Sequence, residues 1–293
     1  MIFSTRAFGM SDSTFVILRN LIHERTGIYY DQSKQDLLAD KLSPRLLEQG
    51  IHSFLDYYYL LKYDTSANRE WQELVNAITV PETFFWREFD QIEVLIKQII
   101  DEYLDRQKLS GLSYGYSYPL KIWSAACSTG EEPLTIAMAL EEAGWFDRLP
   151  IEIYATDISS RAIAKAKKGL YRDHSFRVLS PALKEKYFTQ ETTGWRIQPH
   201  IHNRIHWKTA NLLNPDDFIL FTNIPFIFCR NVFIYFSPDS IKKTTIMFFE
   251  KMPANGYLFL GSSESILKLN TEFQVCEINQ SFVYMKQEDR HQP

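Results

Sequence analysis

Cysteine is scarce in this chain. Three cysteines, Cys127, Cys229 and Cys276, occur in 293 residues and show no paired spacing. A disulfide framework needs an even set, so an odd and sparse one argues against a disulfide-bonded secreted domain. It is typical of a reducing cytosol, and we expect a cytoplasmic protein.

Charge of one sign is not in excess, and we expect no signal peptide. Lys and Arg number 32 against 36 Asp and Glu, which gives a formal net charge of −4. This balance favours neither nucleic acid nor an anionic membrane as the main partner. The start, MIFSTRAFGMSDST, lacks the basic residues and the continuous apolar segment of a signal peptide.

No apolar run is both long and free of polar residues. Phe218–Phe236 has nearly the length of a membrane span, but it contains Pro225, Arg230 and Asn231. A central arginine is costly in lipid, so we expect short buried strands with their loops and no membrane insertion. A buried arginine is also costly unless it is paired, so Arg230 needs partners.

Motifs for phosphate and for metal are missing as well. The turn Ser128-Thr129-Gly130 has one glycine where a dinucleotide fingerprint has three, and it lacks the Gly-Lys-Ser/Thr of a phosphate loop. His200 and His202 would share one face of a strand, but no acidic or cysteine ligand accompanies them. We therefore expect no metal site.

What is present divides the chain in two, and residues 1–78 form the first part. Apolar residues at helical spacing predict helices at Ser13–Thr26, Asp36–Gln49, Ser53–Tyr63 and Asn68–Ala77. Pro44 lies inside the second helix and is expected to kink or split it. The first part is therefore predicted to be an all-α domain.

Strands and helices alternate in the second part, residues 79–293. Strands are predicted at KIWSAAC, IEIYATD, PFIFCRN and YLFLGSS, with a final pair near FQVCEI and SFVYMK, and a helix is predicted at about 90–107. This order indicates a doubly wound, Rossmann-like α/β domain with a parallel sheet. SGLSYGYSYP is typical of a loop, and the polar stretch at about 186–210 predicts a small antiparallel β insertion.

Polar residues follow the strands at the edge where such sheets bind ligands. Glu131 and Glu132 would repel a pyrophosphate but could hold a cation, or they could simply complement the helix dipole. Asp157 fits the acidic residue that binds ribose hydroxyls, with a helix N-cap as its alternative role. A ligand with a ribose and a positive charge but no phosphate is S-adenosylmethionine.

Several separated motifs resemble the chemotaxis receptor glutamate methyltransferases, the CheR family, over nearly the whole chain. They are VPETFFWRE, WSAACSTGEEPLTIAM, YATDIS, the Asn211-Leu212 pair, FCRNVFIYF and GSSES. Their order and number make the resemblance specific. It implies an S-adenosylmethionine-dependent methyltransferase domain that gives S-adenosylhomocysteine, without a metal.

The resemblance also implies which residues bind the cofactor. Thr83 would approach its methionine end, Glu132 its amino group and Asp157 its ribose, while Asn211 and Leu212 would flank the adenine. These five positions stand in matching motifs.

Further positions are implied to lie nearer the reaction. Arg87 would contact the cofactor and position the substrate carboxylate, and Tyr235 would orient the substrate. Arg230 and Asn231 would lie beside cofactor and substrate, with a structural role left open for Arg230. Pro81 stands where the family commonly has Asn, so one polar cofactor contact is lost or replaced.

The family's partner is the cytoplasmic helical domain of chemoreceptors, docked in part by a basic helix. Here that helix offers only Lys34, Lys41 and Arg45, which indicates a less acidic target. The insertion around Gln190–Trp195 lacks the extra residues associated with binding a receptor's C-terminal pentapeptide. We therefore expect a monomer that recognises receptors without that tether.

Two other functions compete with transfer to receptor glutamates. A non-catalytic S-adenosylmethionine-binding scaffold or regulatory domain would keep the fold but would not need residues such as Arg87 and Tyr235. A methyltransferase acting on small carboxylic acids would need no helical N-terminal domain.

Overall fold

The computed structural model describes residues 9–109, 111, 118–269 and 271–287. Its first part contains the four predicted helices, α1 Asp12–Thr26, α2 Gln35–Glu48, α3 Phe54–Tyr63 and α4 Asn68–Ile78. Phe15, Leu18, Leu38 and Leu42 are among the side chains of a separate buried core there. The prediction of an all-α N-terminal domain is confirmed.

Pro44 does not split α2, which is continuous from Gln35 to Glu48. Its neighbour Arg45 is buried and donates hydrogen bonds to the Glu70 carboxylate of α4, which also accepts one from the Tyr57 hydroxyl at 2.6 Å. The expectation of Arg45 on an exposed basic face is therefore wrong. This arginine is held within the domain by an ion pair.

The second part is an α/β domain. Its helices are α5 Asp90–Val94, α6 Ile100–Leu109, α7 Glu131–Glu142, α8 Trp145–Arg148, α9 Ser160–Lys168, α10 Pro181–Tyr187, α11 Pro199–His202 and α12 Pro238–Lys251. Its strands are β1 Leu120–Ala125, β2 Ile151–Asp157, β3 Leu170–Tyr171, β4 Phe188–Glu191, β5 Gly194–Ile197, β6 Ile205–Thr209, β7 Phe226–Cys229, β8 Tyr257–Leu260, β9 Phe273–Ile278 and β10 Ser281–Lys286. A π-helical turn, Leu95–Ile99, joins α5 to α6, so the helix predicted at 90–107 is continuous.

In the described part of the chain, seven strands form one sheet in the order β6-β2-β1-β7-β8-β10-β9. The first five are parallel, whereas β10 runs antiparallel to both β8 and β9. The predicted final strand pair is confirmed, but the expectation of a wholly parallel sheet is wrong at this edge. The strand order reverses between β1 and β7, where open α/β sheets place their ligand crevice.

The small antiparallel sheet exists, but its limits differ from the predicted 186–210. It has the order β3-β5-β4 and therefore begins at Leu170, while β6 pairs in parallel with β2 in the main sheet. His200 and His202 lie in helix α11 and not on a strand. Within the described residues, no group of three or more metal-binding side chains occurs.

Two sequence expectations concern segments of special composition. Most of the predicted loop SGLSYGYSYP, at 110 and 112–117, lies outside the described residues. The apolar stretch that starts at Phe218 forms β7 flanked by loops and short 3₁₀ turns. Across the described residues, no helix combines the length and the apolar character needed to cross a membrane.

Candidate active site

A pocket lies beyond the carboxyl ends of β1, β2 and β7 and extends to the N-terminal domain. All ten site residues predicted from the sequence line it: Pro81, Thr83, Arg87, Glu132, Asp157, Asn211, Leu212, Arg230, Asn231 and Tyr235. Seven of them follow strands that end at one edge of the sheet, whereas Pro81, Thr83 and Arg87 come from the segment between α4 and α5. Which of them contact a ligand stays a prediction.

The loop between β1 and α7 has an unusual backbone. Ala126, Ser128 and Gly130 have φ angles of +69°, +51° and +96°, in the left-handed region. A Cβ atom on Gly130 would lie 2.8 Å from Cη2 of Trp207, so glycine is required there. The hydroxyl of Ser128 borders the pocket, is buried and has no partner among the described residues. A buried polar group of this kind needs a partner, which a bound ligand or a water molecule would supply.

Asp157 ends β2 beside this loop and is buried. Its Oδ2 accepts a hydrogen bond from the Ser128 amide at 2.8 Å, and its Oδ1 accepts one from the Ser159 amide at 2.8 Å. Burial raises the pKa of its carboxyl group despite these two bonds. The N-cap of α9 is Ser159, so the alternative role of Asp157 as the N-cap is wrong. Both oxygens keep acceptor capacity towards the pocket, which fits ribose hydroxyls.

The partners that Arg230 requires are on the protein itself. Its Nε donates to Oε2 of Glu132 at 2.7 Å, and its side chain is 2% exposed. Its two terminal nitrogens donate to the carbonyls of Glu88 and Arg87 at 2.8 and 2.9 Å. Arg230 thus fixes the backbone from which the Arg87 side chain projects.

The two glutamates that open α7 have different environments. Glu132 lines the pocket, where its second oxygen accepts a hydrogen bond from the Ser124 hydroxyl at 2.7 Å. Glu131 is not among the pocket residues and binds the hydroxyls of Thr129 and Ser175 at 2.6 and 2.9 Å. Burial raises the pKa of the Glu131 carboxyl group. Of the pair, Glu132 is therefore the one placed to meet a cationic ligand.

Arg87 is held less completely than Arg230. Its side chain is 24% exposed, and one terminal nitrogen donates to the Glu82 carbonyl at 2.8 Å. The guanidinium groups of Arg87 and Arg177 both approach the Phe84 ring, at 5.7 and 3.6 Å from its centroid. Arg177 also pairs with Glu82 at 2.6 Å. Apart from the bond to the Glu82 carbonyl and an ion pair of Nε with Oε1 of Glu88 at 3.9 Å, the N–H groups of Arg87 have no acceptor among the described residues, which suits recognition of a carboxylate.

The loop after β7 is organised by two acidic residues to which the sequence reasoning gave no role. Glu264 accepts hydrogen bonds from four backbone amides, those of Gly261, Asn231, Phe233 and Ile234. Glu88 accepts hydrogen bonds from the Asn231 side chain at 3.2 Å and from the Ser262 amide. Glu264 belongs to GSSES, one of the motifs that carry the family resemblance. The sequence pattern alone predicted no function for this residue.

The N-terminal domain also contributes to the pocket, which the sequence reasoning did not foresee. Eight of its residues line the cavity: Thr26, Ile28, Tyr29, Tyr30, Lys34, Leu37, Lys41 and Ile78. A β-bridge joins Ile28 to Phe236, and the Tyr29 amide donates to the Tyr235 carbonyl at 2.8 Å. Burial and the neighbouring Tyr235 raise the pKa of Tyr30 to about 12. The pocket is therefore built by both domains.

Asn211 strengthens this domain contact, whereas Lys41 is held within the N-terminal domain. Lys41 donates to the Ile78 carbonyl at 3.0 Å, and burial lowers its pKa. Asn211 donates through Nδ2 to the Arg25 carbonyl at 2.6 Å, while its Oδ1 accepts from the Leu213 amide. The side chain of Asn211 is thus occupied by protein contacts, and a ligand would meet its backbone and the adjoining Leu212.

The residues present fit S-adenosylmethionine. Asp157 and the unpartnered Ser128 hydroxyl supply polar positions for a ribose. Glu132 lines the same pocket, with its carboxylate paired to Arg230. When bound, the cofactor would supply an electrophilic methyl group on a positively charged sulfur.

Comparison with known families covers nearly the whole chain. The family described as "CheR methyltransferase, SAM binding domain" matches residues 81–282. "CheR methyltransferase, all-alpha domain" matches residues 13–79. The two matches meet where the first and second parts of this chain adjoin.

Curated relatives are similar over the same length. "Chemotaxis protein methyltransferase 2" of Vibrio cholerae is 31% identical over 280 residues, which cover 94% of each chain. "Chemotaxis protein methyltransferase 1" of Pseudomonas aeruginosa is 30% identical, over 94% of this chain and 98% of its own. Among solved structures, the magnesium protoporphyrin IX methyltransferase ChlM from Synechocystis PCC 6803 with bound SAM aligns with a TM-score of 0.37 and 12% identity, covering 94% of this chain and 96% of its own.

The family matches and the relatives agree with the fold and with the pocket. S-adenosylmethionine is the cofactor. The chain belongs to the CheR methyltransferase family and is an S-adenosylmethionine-dependent methyltransferase of chemotaxis.

Proposed function

We propose that this protein transfers the methyl group of S-adenosylmethionine to side-chain carboxylates of glutamate residues in chemoreceptors. The observation that supports this best is the position of Arg87, whose guanidinium is partly exposed in the pocket and has N–H groups to spare. A guanidinium matches the two oxygens of a carboxylate. The curated relatives are named as chemotaxis methyltransferases.

A carboxylate nucleophile makes limited demands on the protein. Its pKa is near ~4.3, so it is ionised at neutral pH and needs no general base. The residues must remove water from the carboxylate and aim it, which is positioning and electrostatic work. Arg87 would hold the substrate oxygens, and Tyr235, 37% exposed at the pocket, would orient the substrate. Asp157 and Glu132 would hold the cofactor.

The proposed partner is the cytoplasmic helical domain of a chemoreceptor, bound by a cytoplasmic monomer without a pentapeptide tether. With Arg45 buried, Lys34 and Lys41 remain from the predicted basic face, and both line the pocket. Lys34 pairs with Asp31 at 3.2 Å, and Lys41 donates to the Ile78 carbonyl. Both lysines are therefore already engaged within the domain, which supports a different or less acidic receptor target than a strongly basic helix would bind.

The test is methyl transfer from radiolabelled S-adenosylmethionine to receptor cytoplasmic fragments, read as base-labile methyl ester. Wild-type protein should label the fragment, and a fragment with its acceptor glutamates changed to glutamine should stay unlabelled. Arg87→Lys should lower transfer at least tenfold and keep S-adenosylhomocysteine binding. Binding of S-adenosylhomocysteine without methyl transfer to any fragment would instead support the non-catalytic scaffold. Labelling of free dicarboxylic acids would support a methyltransferase that acts on small carboxylic acids.

A further inference from the structure

Tyr235 lies in the loop that joins β7 to α12. Residues 230–237 make this connection, which contains a left-handed residue, Asn231, with φ of +60°, and a 3₁₀ turn, Phe233–Tyr235. Asparagine adopts the left-handed region more readily than most residues, so the turn is compatible with its sequence. The position of the loop in the pocket is set by contacts with other segments.

Glu264 makes several of these contacts. Its Oε2 accepts from the Asn231 amide at 2.8 Å and from the Gly261 amide at 2.7 Å. Its Oε1 accepts from the amides of Phe233 and Ile234 at 2.7 and 3.3 Å. One carboxylate thus binds three of the loop amides that precede Tyr235. Since donors approach both oxygens, only the carboxylate form satisfies all of them.

The contact is also closely packed. A Cβ atom on Gly261 would lie 2.8 Å from Oε2 of Glu264 and 2.7 Å from Nδ2 of Asn231. Glycine at 261 therefore lets the carboxylate reach the loop. Glu264 itself is not among the residues that line the pocket, so it acts on the pocket through the loop.

On the other side, the loop is attached to the N-terminal domain. The Tyr235 carbonyl accepts from the Tyr29 amide at 2.8 Å, and Phe236 pairs with Ile28. The backbone of Tyr235 is therefore fixed at two points, one on each domain. Loss of either point would let its side chain shift relative to Arg87.

We propose that Glu264 is a positioning residue for methyl transfer, which sets the place of Tyr235 by holding the amides of residues 231, 233 and 234. The proposal rests on the proposed function, in which Tyr235 orients the substrate. A displacement of about 1 Å at a reacting centre can cost about 100-fold in rate. Removal of Glu264 should therefore reduce turnover much more than cofactor binding, because Asp157, at the end of β2, and Ser128, in the loop after β1, lie outside the loop that Glu264 holds.

Glu264→Gln is the informative variant because it keeps the shape and replaces one acceptor oxygen by a donor facing backbone N–H groups. Its matched control is Glu272→Gln, an exposed glutamate of the same C-terminal region. We expect kcat for receptor methylation to fall about 10- to 100-fold, with the Kd for S-adenosylhomocysteine within about fivefold of wild type. The control should match wild type in both.

Amide hydrogen exchange in the ligand-free protein supplies a readout that does not depend on activity. Residues 231, 233 and 234 should exchange at least about tenfold faster in Glu264→Gln and at the wild-type rate in the control, because the amides lose their acceptor. Should Glu264→Gln fail to fold, Glu264→Asp serves the same test, since it keeps the charge and shortens its reach.

Unchanged kcat, unchanged exchange of the loop amides, or a parallel loss of kcat and S-adenosylhomocysteine binding would each overturn the proposal. The last result would show a general structural role. If wild-type protein transfers no methyl group to any receptor fragment, the proposed function fails, whereas the exchange data still report whether Glu264 holds the loop.

Discussion

Replacement of Arg230 by methionine should destabilise this protein more than most single substitutions. The variant keeps much of the side-chain volume but leaves Glu132, whose side chain is 12% exposed, without its cation. Two backbone carbonyls, those of Arg87 and Glu88, lose their donors as well. Removing one member of a buried ion pair typically costs about 3–5 kcal/mol because the other charge stays buried.

The double variant Arg230→Met/Glu132→Gln tests whether the loss of stability comes from the unpaired charge of Glu132. It removes the orphaned charge, so it should be about 1–3 kcal/mol more stable than Arg230→Met alone, as expected for contacting, coupled residues. Urea unfolding of the wild type, both single variants and the double variant at pH 7 completes the cycle. If the two single losses simply add in the double variant, the coupling of Arg230 with Glu132 is refuted.

Three further predictions follow from contacts in and around the pocket. Gly130→Ala should abolish S-adenosylhomocysteine binding in calorimetry, since the new Cβ would lie 2.8 Å from Trp207 at a φ of +96°, and wild-type affinity would contradict this. Asp157→Ala should weaken that binding at least about tenfold, the loss expected when a charged hydrogen-bonding partner worth roughly 1.5–3 kcal/mol is removed; unchanged affinity would contradict the role of Asp157. Burial opposes ionisation of Glu88, but hydrogen bonds from Ser262 and Asn231 and the nearby arginines outweigh it and lower its pKa below the ordinary 4.5. Glu88→Gln should therefore reduce unfolding free energy at pH 7, and the difference from wild type should shrink as the pH falls below 4.5; a difference independent of pH would refute it.

The order of strands and helices was predictable because hydrophobic periodicity and turn residues act locally. KIWSAAC and IEIYATD became β1 and β2, and Asp157 falls at the strand end where the pattern placed it. The direction of β10 and the membership of β6 in the main sheet depend on pairing between distant segments, which periodicity does not encode.

The same distinction applies to the pocket. Arg230 was recognisable as a buried charge in need of partners, but its pairing with Glu132 spans 98 positions of sequence and required the fold. The sequence predicted Arg45 on an exposed face, because only the packing of α2 against α4 places it beside Glu70. The contribution of Tyr29 and Tyr30 was missed because nothing in the helical pattern of residues 1–78 indicates which face meets the second domain.

The bridge between Ile28 and Phe236 limits how this protein can be recombined or can diverge. A Cβ atom on Gly27 would lie 2.9 Å from the Phe236 ring, so these positions have to change together. A chimera that joins residues 79–293 to a relative's helices would combine residues at this domain contact that are not matched to each other, directly beside Tyr235. We therefore expect the two domains to work only as a matched pair, and a change of receptor specificity through the N-terminal helices has to leave the contact of Gly27 and Ile28 with Phe236 intact.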